Sequence, residues 1–213
     1  MSETTHDVLA ELRFSDLLSA VASKTPSPGG GAVAAAVGAL GAALGSMVVA
    51  YSAGKKSLAA HVPELESAAI QLTRARELLL LLAEADAAAY SRLNALQKLP
   101  ENDPQRIAEW SQAVEGALGA PNSMLAACGD LLRLMGRLGP ITNPYLKSDL
   151  AIAALLTESC ARAAAWNVRI NLPLVSTESE RRRLDAETNR LVAEAVLRAA
   201  AIERACTPEP TRS

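Results

Sequence analysis

The residues of this chain with chemical potential are few and fall in four places. The first is the turn Pro28-Gly29-Gly30-Gly31. It lies between two helical stretches and lacks both the GK[ST] ending of a P-loop and the spacing of a dinucleotide fingerprint. It reads either as a tight turn with close helix packing or as exposed backbone N–H groups at a helix N-terminus, which attract anions. The second is Asp86, set among alanines in EADAAAY. It is either a solvent-facing helix residue or a carboxylate that polarises water, because a buried acid without a partner is costly. Tyr90, one turn later, shares its face. The third place, Asn143, Ser148 and Asp149, flanks a helix start, where capping is the alternative to a ligand pocket. The fourth, Asn167, Arg169 and Asn171, ends a helix just before Pro173. Asn167 and Asn171 are four apart and lie on one face if the helix persists. Lys55 and Lys56 follow Gly54 and suit a helix C-terminal dipole.

These groups need a scaffold, and the pattern predicts helices throughout. Sustained alternation of β-branched and polar residues is absent, whereas helical periodicity runs almost everywhere. The expected helices span about Thr5 or Leu12 to Ser23, Gly30 or Gly31 to Gly54, Pro63 to Gln97, Pro104 to Leu138, Lys147 to Ile170, and Ser176 or Thr177 to Ala205. Proline at a first helical position opens the third and fourth, Pro121 should kink or divide the fourth, and Ser176 or Thr177 should cap the sixth. NLPLVST is expected to be a short extended link. The fold class is all-α: a multihelical bundle of about six helices completed by dimerisation. Residues 1–11 are expected to be a flexible N-terminus, 12–206 one domain, and 207–213 a disordered tail.

Composition narrows the function classes. Of 213 residues, 50% are hydrophobic and only 3% aromatic, so alanine and leucine carry the core and helices can sit close together. A formal net charge of −2 with no basic run gives no footprint for nucleic acid. Three separated cysteines and two histidines offer no metal-ligand spacing, so no metal is expected and a reduced, cytoplasmic setting is the simplest reading. The uncharged stretch Gly30 to Ala53 is long enough to span a bilayer, but its weakly apolar alanines and glycines favour a buried bundle helix over a membrane partner. His61 reads as a loop residue, the run Arg181 to Arg183 as a charged helix face, and Cys128, Cys160, Trp110 and Trp166 as packing residues.

Four segments in order resemble one family. FSDLLSAVASKTPSPGGGAVAAAVGALGAALGSMV followed by GKK, LAEADAAAYSRLNALQKLP, TNPYLKSDL and the helix ending NVRINL are similar to the cyclodeaminase/cyclohydrolase family of folate enzymes over about Leu12 to Leu172. Three details depart from its pattern: Ser57-Leu58 after GKK, the loop TNPYLKS carrying Tyr145 and Lys147, and APNSMLAAC. The resemblance implies hydrolysis of 5,10-methenyltetrahydrofolate, or ring closure of 5-formiminotetrahydrofolate with loss of ammonia. It implies no cofactor beyond the tetrahydrofolate substrate, a homodimer, and a site that spans two subunits. By the same resemblance Asp86 and Asp149 are the candidate acid/base groups. Pro28, Gly29, Gly30, Gly31, Lys55, Lys56, Tyr90, Asn143, Ser148, Asn167, Arg169 and Asn171 are the candidate substrate contacts. The segment before Leu12 is too short for a formiminotransferase domain, so the expected order is cyclohydrolase first and cyclodeaminase second.

Overall fold

The computed structural model describes residues 11–25 and 27–207. Except for Glu11 and Thr207, the expected flexible terminus and tail lie outside the described residues, as does a helix start at Thr5. Six α-helices follow in order: α1 Phe14–Ala22, α2 Gly30–Ala50, α3 Val62–Gln97, α4 Pro104–Leu138, α5 Lys147–Asn171 and α6 Glu178–Cys206. No strand occurs among the described residues.

Helices α2 to α5 close a ring in which each packs on its two neighbours: α2 on α3 and α5, and α4 on the other side of the same pair. This is four-helix-bundle packing. Helix α6 lies outside it against α4 and α5. Helix α1 buries none of its residues.

The small residues of α2 set the register. A Cβ on Gly31 would fall on Asp86, one on Gly38 would meet Leu79, and one on Gly45 would meet Leu72. Each step of seven along α2 is thus answered by a step of seven back along α3, so the two helices run antiparallel with glycine against a larger side chain. On its other flank α2 meets α5 in the same sense, Gly38 against Cys160 and Gly41 against Thr157. The glycine-rich helix is therefore a close-approach element, because only a residue without a Cβ lets a neighbouring helix come so near. Gly41 is the tightest backbone approach: a Cβ there would lie 2.7 Å from Thr157 Oγ1 and 3.0 Å from the Ala153 carbonyl oxygen. Gly41→Ala is expected to force α2 and α5 apart and to lower stability by about 1–3 kcal/mol, despite the gain of about 1 kcal/mol in helix propensity. A lower urea midpoint at unchanged slope would register it.

Several boundaries differ from the sequence expectation. Helix α2 ends at Ala50 rather than Gly54. The Ser52 and Ala53 amides still donate to the Val49 carbonyl oxygen, and Gly54 takes the left-handed conformation at φ 81°, ending the turn after the helix. Helix α4 stays continuous through Pro121. Leu172–Leu174 forms a 3₁₀ turn in place of the expected extended link. A further 3₁₀ turn covers Lys56–His61, so His61 ends a helical turn and precedes α3, 3.7 Å from Glu64. Thr177 is the N-cap of α6, but its side chain makes no cap bond. Trp166 is 69% exposed and is not a packing residue; the Arg169 guanidinium lies 5.4 Å from its ring centre. Cys128 and Cys160 are buried core residues, as expected.

Candidate active site

A cavity of about 490 Å³ opens where the N-terminus of α2 meets the C-terminal third of α3 and the end of α5. Its size suits a small-molecule site. Gly29, Gly30 and Gly31 line it from α2, Asp86, Tyr90, Asn94 and Gln97 from α3, and Asn167 and Asn171 from α5.

The placement of Asp86 follows from α3. Leu65, Leu72, Leu79 and Leu93 recur at steps of seven, and each is at most 5% exposed. Asp86 takes the remaining place in that ladder, so a carboxylate occupies a core leucine position. The missing Cβ of Gly31 provides its space: a Cβ there would lie 1.8 Å from Asp86 Oδ2. Burial raises the Asp86 pKa above its ordinary value. The first turn of α2, capped by Gly29 without any side-chain bond, presents free N–H groups beside it. The result is a carboxylate that can exchange a proton, next to donors that favour developing negative charge.

Asn171 Nδ2 donates to the Asn167 carbonyl oxygen at 3.0 Å and to the Ala117 carbonyl oxygen of α4 at 3.1 Å. Asn167 Nδ2 is buried without an acceptor in the protein. Arg169 turns away from this group of side chains: its Nη2 donates to Asn189 Oδ1 of α6 at 2.9 Å. Pro28 is half-buried and follows Ser27 through a cis peptide, while the neighbouring Ser27 and Gly29 line the cavity.

The remaining candidates gather at the opposite end of α2. That helix has 21 residues, which is about 30 Å at 1.5 Å per residue. Beyond it, Ser52 Oγ donates to the Val48 carbonyl oxygen at 2.7 Å and accepts from the Asn143 amide at 2.8 Å. Asn143 Oδ1 accepts from the Tyr145 amide at 3.3 Å, so Asn143 caps a 3₁₀ turn rather than α5 itself. Lys55 Nζ lies 5.9 Å from the Tyr145 ring centre, and Lys56 is exposed. Ser148 and Asp149 occupy the first turn of α5, whose N-cap is Leu146. Asp86 and Asp149 therefore do not share a cavity within one chain.

Sequence reasoning missed Asn94 and Gln97. Both stand on the Asp86 face at helical steps from Tyr90, a signal readable in the sequence. A second cavity of about 390 Å³ lies beside Leu174, against Trp110 and Glu180. None of the sequence candidates lines it, and Glu180 is held by Arg183.

Known proteins resemble this chain in sequence and in fold. The family model described as formiminotransferase-cyclodeaminase matches residues 13–190. Formimidoyltransferase-cyclodeaminase of Gallus gallus is 31% identical over 83% of this chain and 33% of its own length. The chain thus spans about a third of that relative. Methenyltetrahydrofolate cyclohydrolase of Methylorubrum extorquens is 30% identical over 72% of this chain and 76% of its own. The crystal structure of formiminotetrahydrofolate cyclodeaminase from Thermotoga maritima superposes with a TM-score of 0.85 at 28% identity, covering 92% of this chain and 96% of that one. With a family model matched over residues 13–190 and a matching helical fold, this chain belongs to the formiminotransferase-cyclodeaminase family.

Proposed function

We propose that this chain hydrolyses 5,10-methenyltetrahydrofolate to 10-formyltetrahydrofolate. The observation that carries the reading is Asp86, a carboxylate in a core position beside the open N-terminus of α2. The similarity to the M. extorquens cyclohydrolase over 76% of its length supports it. Ionised Asp86 takes a proton from water as the oxygen adds to the cationic bridge carbon. The bond from that carbon to N5 then breaks, its electron pair stays on N5, and Asp86 returns the proton there. The carbinol proton leaves to solvent and the formyl group remains on N10. Asn94, Gln97 and Asn167 supply the amide donors and acceptors that orient the ring system. The reaction needs no cofactor beyond the folate.

Cyclodeamination of 5-formiminotetrahydrofolate is the second reading, favoured by the likeness to the T. maritima cyclodeaminase across nearly its full length. There Asp86 would protonate the departing ammonia. Incubation with each folate separates the two. The first reading expects loss of the methenyl absorbance without ammonia. Ammonia release with appearance of that absorbance from the formimino substrate would reverse the order.

A homodimer belongs to this proposal. No lysine or arginine lines the cavity among the described residues, whereas a folate carries carboxylates that need cations. The outer face of α2 presents Val33, Val37, Leu40, Leu44, Met47 and Tyr51 at helical spacing. Leu40, 50% exposed, stands at the midpoint of Gly30–Ala50. A two-fold axis there would lay two copies of α2 antiparallel and bring one copy's Lys55 and Lys56 to the other's Gly30 end. Leu40→Glu would place two carboxylates together at that axis. The expected result is a halved mass by light scattering and loss of turnover. A native chain that runs as an active monomer would exclude the composite site.

A further inference from the structure

Pro121 lies in the interior of α4. Its ring nitrogen has no proton, so the carbonyl four residues earlier, that of Ala117, has no helical partner. Ala117 is 5% exposed and Pro121 is buried, which leaves that oxygen little access to water. The bond is made across the bundle instead: Asn171 Nδ2, in the last turn of α5, donates to it at 3.1 Å. The same amide group donates to the Asn167 carbonyl oxygen at 3.0 Å. Both protons of one side chain are thus spent on tying α5 to α4 and to its own preceding turn. Ala117, Asn167 and Asn171 all line the Asp86 cavity, and Asn167 keeps an Nδ2 with no acceptor in the protein.

We infer that Pro121 and Asn171 are paired positioning residues. The proline frees the Ala117 carbonyl, Asn171 occupies it, and the resulting clamp fixes the α5 wall of the cavity so that Asn167 meets the substrate in one orientation. The inference rests on the Asp86 cavity being the reaction site. It accounts for a helix-breaking residue inside a continuous helix and for the use of Asn171, a cavity residue, as a tie between backbones. A proline serving packing alone would need no partner on α5.

Pro121→Ala tests it without threatening the fold, because alanine suits a helix interior better than proline. The restored N–H competes with Asn171 for the Ala117 oxygen. The expected result is a melting temperature unchanged or raised, with kcat/KM reduced about tenfold, as small misplacement of a substrate-orienting group does. The loss should fall on the same parameter, kcat or KM, that Asn167→Ala changes. Adding Asn167→Ala or Asn171→Asp to Pro121→Ala should cost no more than the larger single change. Hydrogen exchange at residues 168–172 of the free protein should quicken in Pro121→Ala. Full activity with native exchange in Pro121→Ala, or losses that multiply in the double variants, would overturn the clamp. If the native chain turned over neither folate, the functional reading would fall while exchange still judged the clamp, with unchanged exchange overturning it.

Discussion

Asp86→Asn is expected to abolish nearly all turnover, by about 10²–10⁴-fold, while leaving the protein at least as stable as the native chain at neutral pH. The two effects have one cause. Asparagine keeps the shape of the side chain that fits against Gly31, but it cannot exchange a proton. The native carboxylate is half-buried, and burial raises its pKa. Folding therefore favours its protonated form. The full stability of the site is present below the ordinary carboxylate pKa and is lost as pH rises from about 4 through the higher value in the folded state. The neutral asparagine escapes that loss. Melting temperatures of the two proteins should converge in acid, and the variant should equal or exceed the native chain at pH 7. A variant clearly less stable at neutral pH would mean that Asp86 is held by an attractive partner instead.

Gly31→Ala should damage activity by displacing the same carboxylate. Its Cβ would stand 1.8 Å from Asp86 Oδ2 and 2.5 Å from Asp86 Cγ, so the carboxylate must leave its place. The clash is with the end of a side chain and not with backbone, so α2 and α3 need not separate. Alanine also favours the helix by about 1 kcal/mol relative to glycine. The expected outcome is a near-native melting temperature with kcat reduced about 10²-fold. Gly41→Ala makes the contrast, because it meets the Ala153 backbone and should cost stability. If Gly31→Ala retained full turnover, the contact between α2 and Asp86 would be packing without catalytic consequence.

Much of the scaffold is legible in local pattern. Pro63 and Pro104 mark the starts of α3 and α4 because a first-turn proline costs no helical bond, and Gly54 marks the reversal after α2. The alanines around Asp86 single it out, but its place in the series of Leu65, Leu72, Leu79 and Leu93 states more directly that a carboxylate enters the core. What local pattern does not give is pairing between distant helices. The antiparallel register of Gly31, Gly38 and Gly45 against α3 sends the glycine turn and Lys55 to opposite ends of α2. Residues grouped by motif, Asp86 with Asp149 and Gly30 with Lys55, are therefore separated in the folded chain. Arg169 and Trp166 depart from the sequence expectation for a similar reason. Neighbours of Asn167 in sequence, they turn toward α6 and solvent because successive helical residues point in different directions. The partner of Asn171 depends on Pro121, 50 residues earlier, and no periodicity carries that information.

Catalysis by Asp86 is tested by the initial rate at which 5,10-methenyltetrahydrofolate loses its absorbance, measured with the native chain, with Asp86→Asn, and in buffer alone. Cyclohydrolase chemistry at Asp86 predicts fast loss with the native chain to give 10-formyltetrahydrofolate, and a rate near that of buffer with the folded variant. Equal rates for all three would contradict cyclohydrolase chemistry, and equally fast loss with both proteins would remove Asp86 from its centre.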